Sequence, residues 1–195
     1  LSLHDALPIL TSLDNLPNSL IKLECIFNQM ISLENLPNSL MILNCSCCKI
    51  FSLNNLPNSL TELYCYINNI ITFNDLPNGL IKLSCYKNKI TSLNNLPNTL
   101  IYVDCSENQI TELDNLPVRL IELYCSKNVI THFNYLPDNL VKLNCGNNKI
   151  ISLNNLPLGL DNLMCYYNEI TSLDKLPLAL TELDCSNNNI SSINL

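Results

Sequence analysis

Leu20-Ile21-Lys22-Leu23-Glu24-Cys25-Ile26-Phe27-Asn28-Gln29-Met30 runs into the arm Ile31-Ser32-Leu33-Glu34-Asn35-Leu36-Pro37-Asn38-Ser39, and at Leu40 the pattern begins again. Its form is L-x-x-L-x-C-x-x-N-x-I-x-x-L-x-x-L-P-x-x, and it continues in unbroken 20-residue register through nine units. Leu-Pro recurs from Leu16-Pro17 to Leu176-Pro177, and a cysteine column runs beside it from Cys25 to Cys185. A fixed period of this length marks a solenoid, in which each repeat touches only its neighbours. One repeat cannot bury enough apolar surface to order itself, so stacking has to supply the stability.

Alternation at Leu23 and Cys25 predicts a short strand with its apolar side chains turned inward. Because every unit returns to the same place, these strands pair in parallel. The return arm is too short for a packed helix. Its proline fixes φ and removes a backbone donor, which favours extended or polyproline-like backbone on the outer side. The expected fold is a β-rich solenoid: a horseshoe with a parallel concave sheet, an extended convex side and little helix. An asparagine column (Asn28, Asn68, Asn88, Asn108, Asn128, Asn148, Asn168, Asn188) is expected to bond to backbone groups freed where the chain leaves the strand. The second repeat carries Cys48 there instead.

The stretch Leu20–Met30 matches the L-x-x-L-x-L-x-x-N-x-L signature of leucine-rich repeats, with Cys in the middle Leu slot. The unit Ile110-Thr111-Glu112-Leu113-Asp114-Asn115-Leu116-Pro117, followed by Leu120 to Asn128, resembles the short bacterial-effector type of that repeat. It is similar also to the Asn- and Cys-rich versions of giant viruses of amoebae. The resemblance covers residues 10–195 and implies a protein-interaction scaffold. It departs from the effector pattern at Asp14, Glu34, Asn54 and Asp114, where effectors carry a further proline. Effector repeats are often joined to a ubiquitin-ligase domain with a catalytic cysteine, but no residue here matches that domain.

Asp and Glu number 17 against 10 Lys and Arg, giving a net charge of −7 and a pI near 4.6. That balance argues against nucleic acid or an anionic membrane as the main ligand. No apolar run approaches the ~18 residues of a membrane span. Asn is abundant, at 33 residues, and Lys outnumbers Arg nine to one, as coding in an AT-rich genome would produce. Residues 1–9, Leu1-Ser2-Leu3-His4-Asp5-Ala6-Leu7-Pro8-Ile9, resemble a translated sequencing adapter, and Asp5 and Pro8 fall in the Cys and Asn slots. They are expected to be a non-native leader before a repeat domain at 10–195. With no initiator Met and no polar capping unit, the chain reads as an uncapped fragment.

Chemistry-bearing residues are sparse. The cysteines read as small buried hydrophobes whose in-register sulfurs are poorly aimed for disulfides. Eleven is also an odd number. Reduced thiols suit an intracellular setting, including the cytoplasm of a host cell. In Cys45-Ser46-Cys47-Cys48, the first and last point inward and Cys47 lies at the outer strand end, short of the four-ligand pattern of a zinc site. His132 stands alone on a return arm, and the three glycines form no phosphate-cradling loop. No catalytic set, cofactor or metal is expected.

Function is expected on the concave face, where residues flanking each inward Leu and Cys vary from repeat to repeat. Six of the eight tyrosines fall there: Tyr64, Tyr66, Tyr86, Tyr102, Tyr124 and Tyr166. With Asp104 and Glu122 they form the candidate partner-binding set, because tyrosine combines large contact area with a polar tip. The leading expectation is a monomeric protein-interaction module. The alternatives are the substrate-recognition arm of a larger ubiquitin ligase and a purely structural array.

Overall fold

The computed structural model describes residues 10–191, so the expected leader at 1–9 lies outside the described residues. Nine three-residue strands follow, one per repeat: β1 (Lys22–Glu24), β2 (Ile42–Asn44), β3 (Glu62–Tyr64), β4 (Lys82–Ser84), β5 (Tyr102–Asp104), β6 (Glu122–Tyr124), β7 (Lys142–Asn144), β8 (Asn162–Met164) and β9 (Glu182–Asp184). They form one parallel sheet in chain order, with each residue paired to the one 20 positions on. Among the described residues there is no helix, and the fold is the leucine-rich-repeat solenoid that the pattern predicts.

The strands are shorter than the Leu–Cys alternation suggests. Each cysteine lies just past the strand end, yet it stays in the ladder: the Cys65 amide donates to the Ser84 carbonyl at 2.8 Å. What stops the strand is a left-handed residue two positions later. Nine residues at 20-residue spacing, from Phe27 to Asn187, have φ of 51–58°. None is glycine, and Ile67 is β-branched, so each unit bears a backbone penalty of about 1–2 kcal/mol. Bonds to the next rung hold the turn. The Ile67 amide donates to the Tyr86 carbonyl at 2.8 Å and the Tyr167 amide to the Ser186 carbonyl at 2.9 Å.

The adjacent asparagine completes the clamp. Asn108 Nδ2 donates to the Cys85 carbonyl of the preceding rung (3.1 Å) and to the Cys105 carbonyl of its own (3.0 Å). Its Oδ1 accepts from the Ile90 amide at 2.9 Å. The same pattern recurs at Asn68, Asn88, Asn128, Asn148, Asn168 and Asn188, as expected of this column.

Two more turns close each rung. The proline carbonyl accepts from the residue three on, as at Pro57 and Leu60 (3.1 Å), forming a β-turn at each Leu-Pro among the described residues. Before it, eight residues from Asn15 to Lys175 have φ of 56–67°, six of them asparagine, which tolerates left-handed backbone well. Tyr135 occupies that slot in its repeat and does not adopt it. Inside, the Leu, Cys and Ile columns are fully buried through the central rungs, as at Leu63, Cys65, Ile70 and Leu80. At β9, which has a sheet partner on one side only, Leu183 is 37% exposed.

The second rung departs from the rule. Cys48 Sγ lies 3.5 Å from the Cys25 and Ser46 carbonyls, a thiol standing where an amide would donate more strongly. Beside it, the Ser46 hydroxyl is the one buried side-chain polar atom among the described residues without a hydrogen-bond partner. Asn108→Ala should cost about 2–4 kcal/mol, because it orphans buried groups on two rungs. Cys48→Asn should add about 1 kcal/mol by restoring the amide. Urea unfolding under reductant measures both, and an Asn108→Ala variant of wild-type stability would show that the amides do not hold the turns.

Candidate functional site

All eleven cysteines are free thiols, nine of them buried. Their hydrogens serve the ladder: Cys85 Sγ lies 3.3 Å from the Asp104 carbonyl and Cys105 Sγ 3.4 Å from the Tyr124 carbonyl, one strand on. Burial pushes the Cys25, Cys65 and Cys165 thiols up to about 12. Burial also raises the Cys45, Cys85, Cys125 and Cys145 thiols, with neighbouring cysteines adding to the effect. Protonated thiols are poor nucleophiles and poor metal ligands. Among the described residues no group of three or more His, Cys, Asp and Glu is placed to hold a metal ion. Cys47, on the left-handed turn with φ 56°, is partly exposed, whereas Cys45 and Cys48 are buried, as their register predicts. His132 is exposed and lies within 2.8 Å of the Thr131 hydroxyl.

The sheet face carries a different chemistry. Residues at the first and third positions of each strand point away from the core, and their identities fall into two like groups 60 residues apart. In the first, the Tyr64 hydroxyl donates to Glu62 Oε2 (2.8 Å), and Lys82 approaches Glu62 Oε1 at 3.7 Å. In the second, the Tyr124 hydroxyl donates to Glu122 Oε2 (3.0 Å), and Lys142 approaches Glu122 Oε1 at 3.3 Å. Between them lies β5, whose Tyr102 ring packs against Tyr124 with centroids 5.5 Å apart and planes at 42°. Burial, then the neighbouring Asp104, hold the Tyr102 hydroxyl at about 12; burial and Glu62 do the same for Tyr64. These phenols are therefore neutral near neutral pH.

Asp104 sits half-buried at the centre. One of its oxygens accepts from the Ser106 amide at 3.1 Å. Burial pushes its carboxyl up, opposed only by the Ser106 amide and hydroxyl. Among the described residues it takes part in no ion pair, whereas each lysine on the strands is paired: Lys22 with Glu24, Lys82 with Glu62 and Lys142 with Glu122.

The eight residues singled out by sequence thus divide. Tyr64, Tyr102, Asp104, Glu122 and Tyr124 lie on β3, β5 and β6 and form one connected patch. Tyr66, Tyr86 and Tyr166 lie beyond the strand ends, on the turn. Tyr86 is raised by burial and then by Glu107, to which it bonds and which also pairs with Lys127 at 2.5 Å. Tyr166 lies flat against Gly146, where an added Cβ would fall 2.5 Å from Cζ of the ring, and its edge meets Tyr167. All six tyrosines are half-buried, so each gives up part of its ring to cross-strand packing.

Two features escaped the repeat-by-repeat reading. The Glu–Lys pairing was legible as the 60-residue spacing of Glu62-Leu63-Tyr64 and Glu122-Leu123-Tyr124. An apolar rim flanks the strands, with Ile21, Met41, Ile81 and Ile121 all exposed, and reading the column before each strand would have found it.

No protein-family model matches the chain, and no curated protein sequence matches it. Solved structures do. YopM of Yersinia enterocolitica is 29% identical with a TM-score of 0.72, covering 91% of this chain and 49% of its own. The functional domain of InlJ from Listeria monocytogenes, described as including a cysteine ladder, is 30% identical with a TM-score of 0.75, covering 91% and 42%. A chain of the LRIM1/APL1C complex is 25% identical with a TM-score of 0.77, covering 91% and 37%. The present chain therefore spans less than half of each of these proteins.

The thiol column makes two measurable demands. A thiol that stays protonated to about 12 when folded, but ionises near its ordinary value of 9.0 when unfolded, binds more protons in the folded state between those limits. Its stabilising contribution is complete below pH 9 and is lost as pH rises towards 12, at about 1.4 kcal/mol per pH unit per thiol. Urea midpoints under reductant should therefore fall steeply from pH 9 to 10.5, and a flat profile would rule this coupling out. A thiol-specific chromophoric disulfide at pH 8 should label only the two partly exposed cysteines, Cys47 and Cys185, before unfolding. Rapid labelling of all eleven would contradict the packing.

Proposed function

We propose that this leucine-rich-repeat solenoid is a non-catalytic module that binds a partner protein on its concave face. The repeat scaffold is uniform along its inward columns and varied at its outward positions, the strand face among them, as suits a fixed frame carrying a selectable surface. The observation that carries the reading is the patch of Tyr64, Tyr102 and Tyr124. Its outer hydroxyls are pinned by Glu62 and Glu122, so the rings are oriented before any partner arrives. Preorganised aromatic residues lose little freedom on binding, which is why they concentrate affinity. The likeness to a chain of the LRIM1/APL1C complex supports the same class of role.

The chain contains no helix long and apolar enough to cross a membrane among its described residues, and its net charge of −7 disfavours anionic surfaces. The free, protonated thiols support a reducing, intracellular site of action. The module acts as a monomer on this reading.

A photo-crosslinking residue replacing Asn144 on the face should capture the partner, whereas one replacing Asn98 on the opposite turn should not. The triple variant Tyr64→Ala, Tyr102→Ala, Tyr124→Ala should bind the captured protein at least about tenfold more weakly, as loss of central aromatic anchors does. Its thermal unfolding should still be cooperative. Unchanged affinity in a folded triple variant would overturn the proposal.

A further inference from the structure

Asp104 is the one carboxylate in the central strip that no lysine neutralises. On the nine strands, Glu24, Glu62 and Glu122 each have a lysine partner. Asp104 has the Ser106 amide and hydroxyl as donors and no ion pair among the described residues. Its surroundings explain what is missing. Ser84 and Tyr124 are its register partners on the two adjoining strands. Ser84 is small and buried, so it presents no polar group to the face between the larger Tyr64 and Asp104. Tyr102, on the same strand and face as Asp104, packs against Tyr124. A half-buried carboxylate is thus set beside the packed Tyr102 and Tyr124 rings.

We infer that this part of the strip, Asp104 with Tyr102 and Tyr124 beside it, receives an arginine side chain of the partner protein. The inference rests on the concave-face reading and specifies the chemistry of its centre. A guanidinium satisfies both halves of the site at once. Its planar fork donates to a carboxylate, while its flat face stacks on tyrosine rings. A lysine ammonium is a compact, strongly hydrated charge that gains little from stacking. The strip is an open face rather than an enclosed aromatic box, which favours a flat cation over a quaternary ammonium. Charge complementarity acts over longer range as well. The outward strand positions carry Glu24, Glu62, Asp104, Glu122, Glu182 and Asp184 against three lysines, within a chain of net charge −7. A basic partner is therefore drawn to this face. The two Glu–Lys units on either side are already internally paired, leaving Asp104 as the place where an incoming cation gains most.

The test uses the whole chain and a short probe, acetyl-Gly-Arg-Gly-amide, followed by NMR of the tyrosine rings. The arginine peptide should saturably shift the Tyr102 and Tyr124 ring signals. The same peptide with citrulline, equal in shape and uncharged, should not. Asp104→Asn keeps the oxygen that accepts from Ser106 and should weaken the arginine peptide about tenfold, while the ring signals of the free protein stay in place. Equal shifts from the citrulline peptide, or no saturable shift from either, would overturn the inference. The two readings fail separately. Asp104→Asn binding the crosslinked partner normally, while the tyrosine triple variant does not, would refute the arginine site and keep the concave face. Arginine-peptide binding to the unsubstituted chain, with normal partner affinity in the triple variant, would overturn the concave-face reading and leave Asp104 only as a guanidinium site that this partner does not use.

Discussion

Everything in this solenoid depends on a side-chain amide placed where the chain turns out of its strand. A three-residue strand is too short to be stable alone, and the left-handed residue that ends it is usually not one that favours such backbone. Asparagines such as Asn108 resolve both problems, because each reaches the carbonyl of the rung behind, the carbonyl of its own rung and an amide two positions along the preceding turn. The amide replaces lost sheet partners and ties adjacent rungs together. This is why the backbone can use Ile67 and Phe27 at positive φ, and why glycine is not needed there.

The cysteine column follows from the same geometry. Immediately after the strand the inward side chain is fully buried through the central rungs. A thiol fills that position and directs its hydrogen at the carbonyl one strand on, as Cys85 does towards Asp104. Burial keeps these sulfurs protonated, so the column that would suggest redox or metal chemistry in isolation serves packing. Cys48 shows the limit of the exchange. In the asparagine slot a thiol fits the volume but cannot match the bonding, and the adjoining Ser46 hydroxyl is left without a partner.

With the inward columns committed to stability, the strand face is free to vary, and its variation has structure. Two Tyr–Glu–Lys units brace a centre at Tyr102 and Asp104, so that the most hydrated charges are already satisfied and the least hydrated one is not. Tyr66, Tyr86 and Tyr166 contribute at the rim of the face. There they cover backbone, as at Gly146, or join the Glu107–Lys127 pair.

The chain's periodicity determined the number of rungs, the parallel pairing, the inward Leu, Ile and Cys columns and the asparagine clamps. Each of these is a local rule repeated every 20 residues, so a pattern along one dimension suffices to read it. Tyr135, which breaks the asparagine turn, and Cys48, which weakens the clamp, could be located in the same way. The tertiary structure decided which outward residues act together. Tyr64, Tyr102 and Tyr124 are separated by 38 and 22 positions in sequence, yet the stack brings them onto one strip while directing Tyr86 to its edge. The isolation of Asp104 is likewise invisible in the sequence. Whether a carboxylate meets a lysine depends on side-chain directions across neighbouring strands and on how much water the surrounding rings exclude, and these exist only once the rungs have stacked.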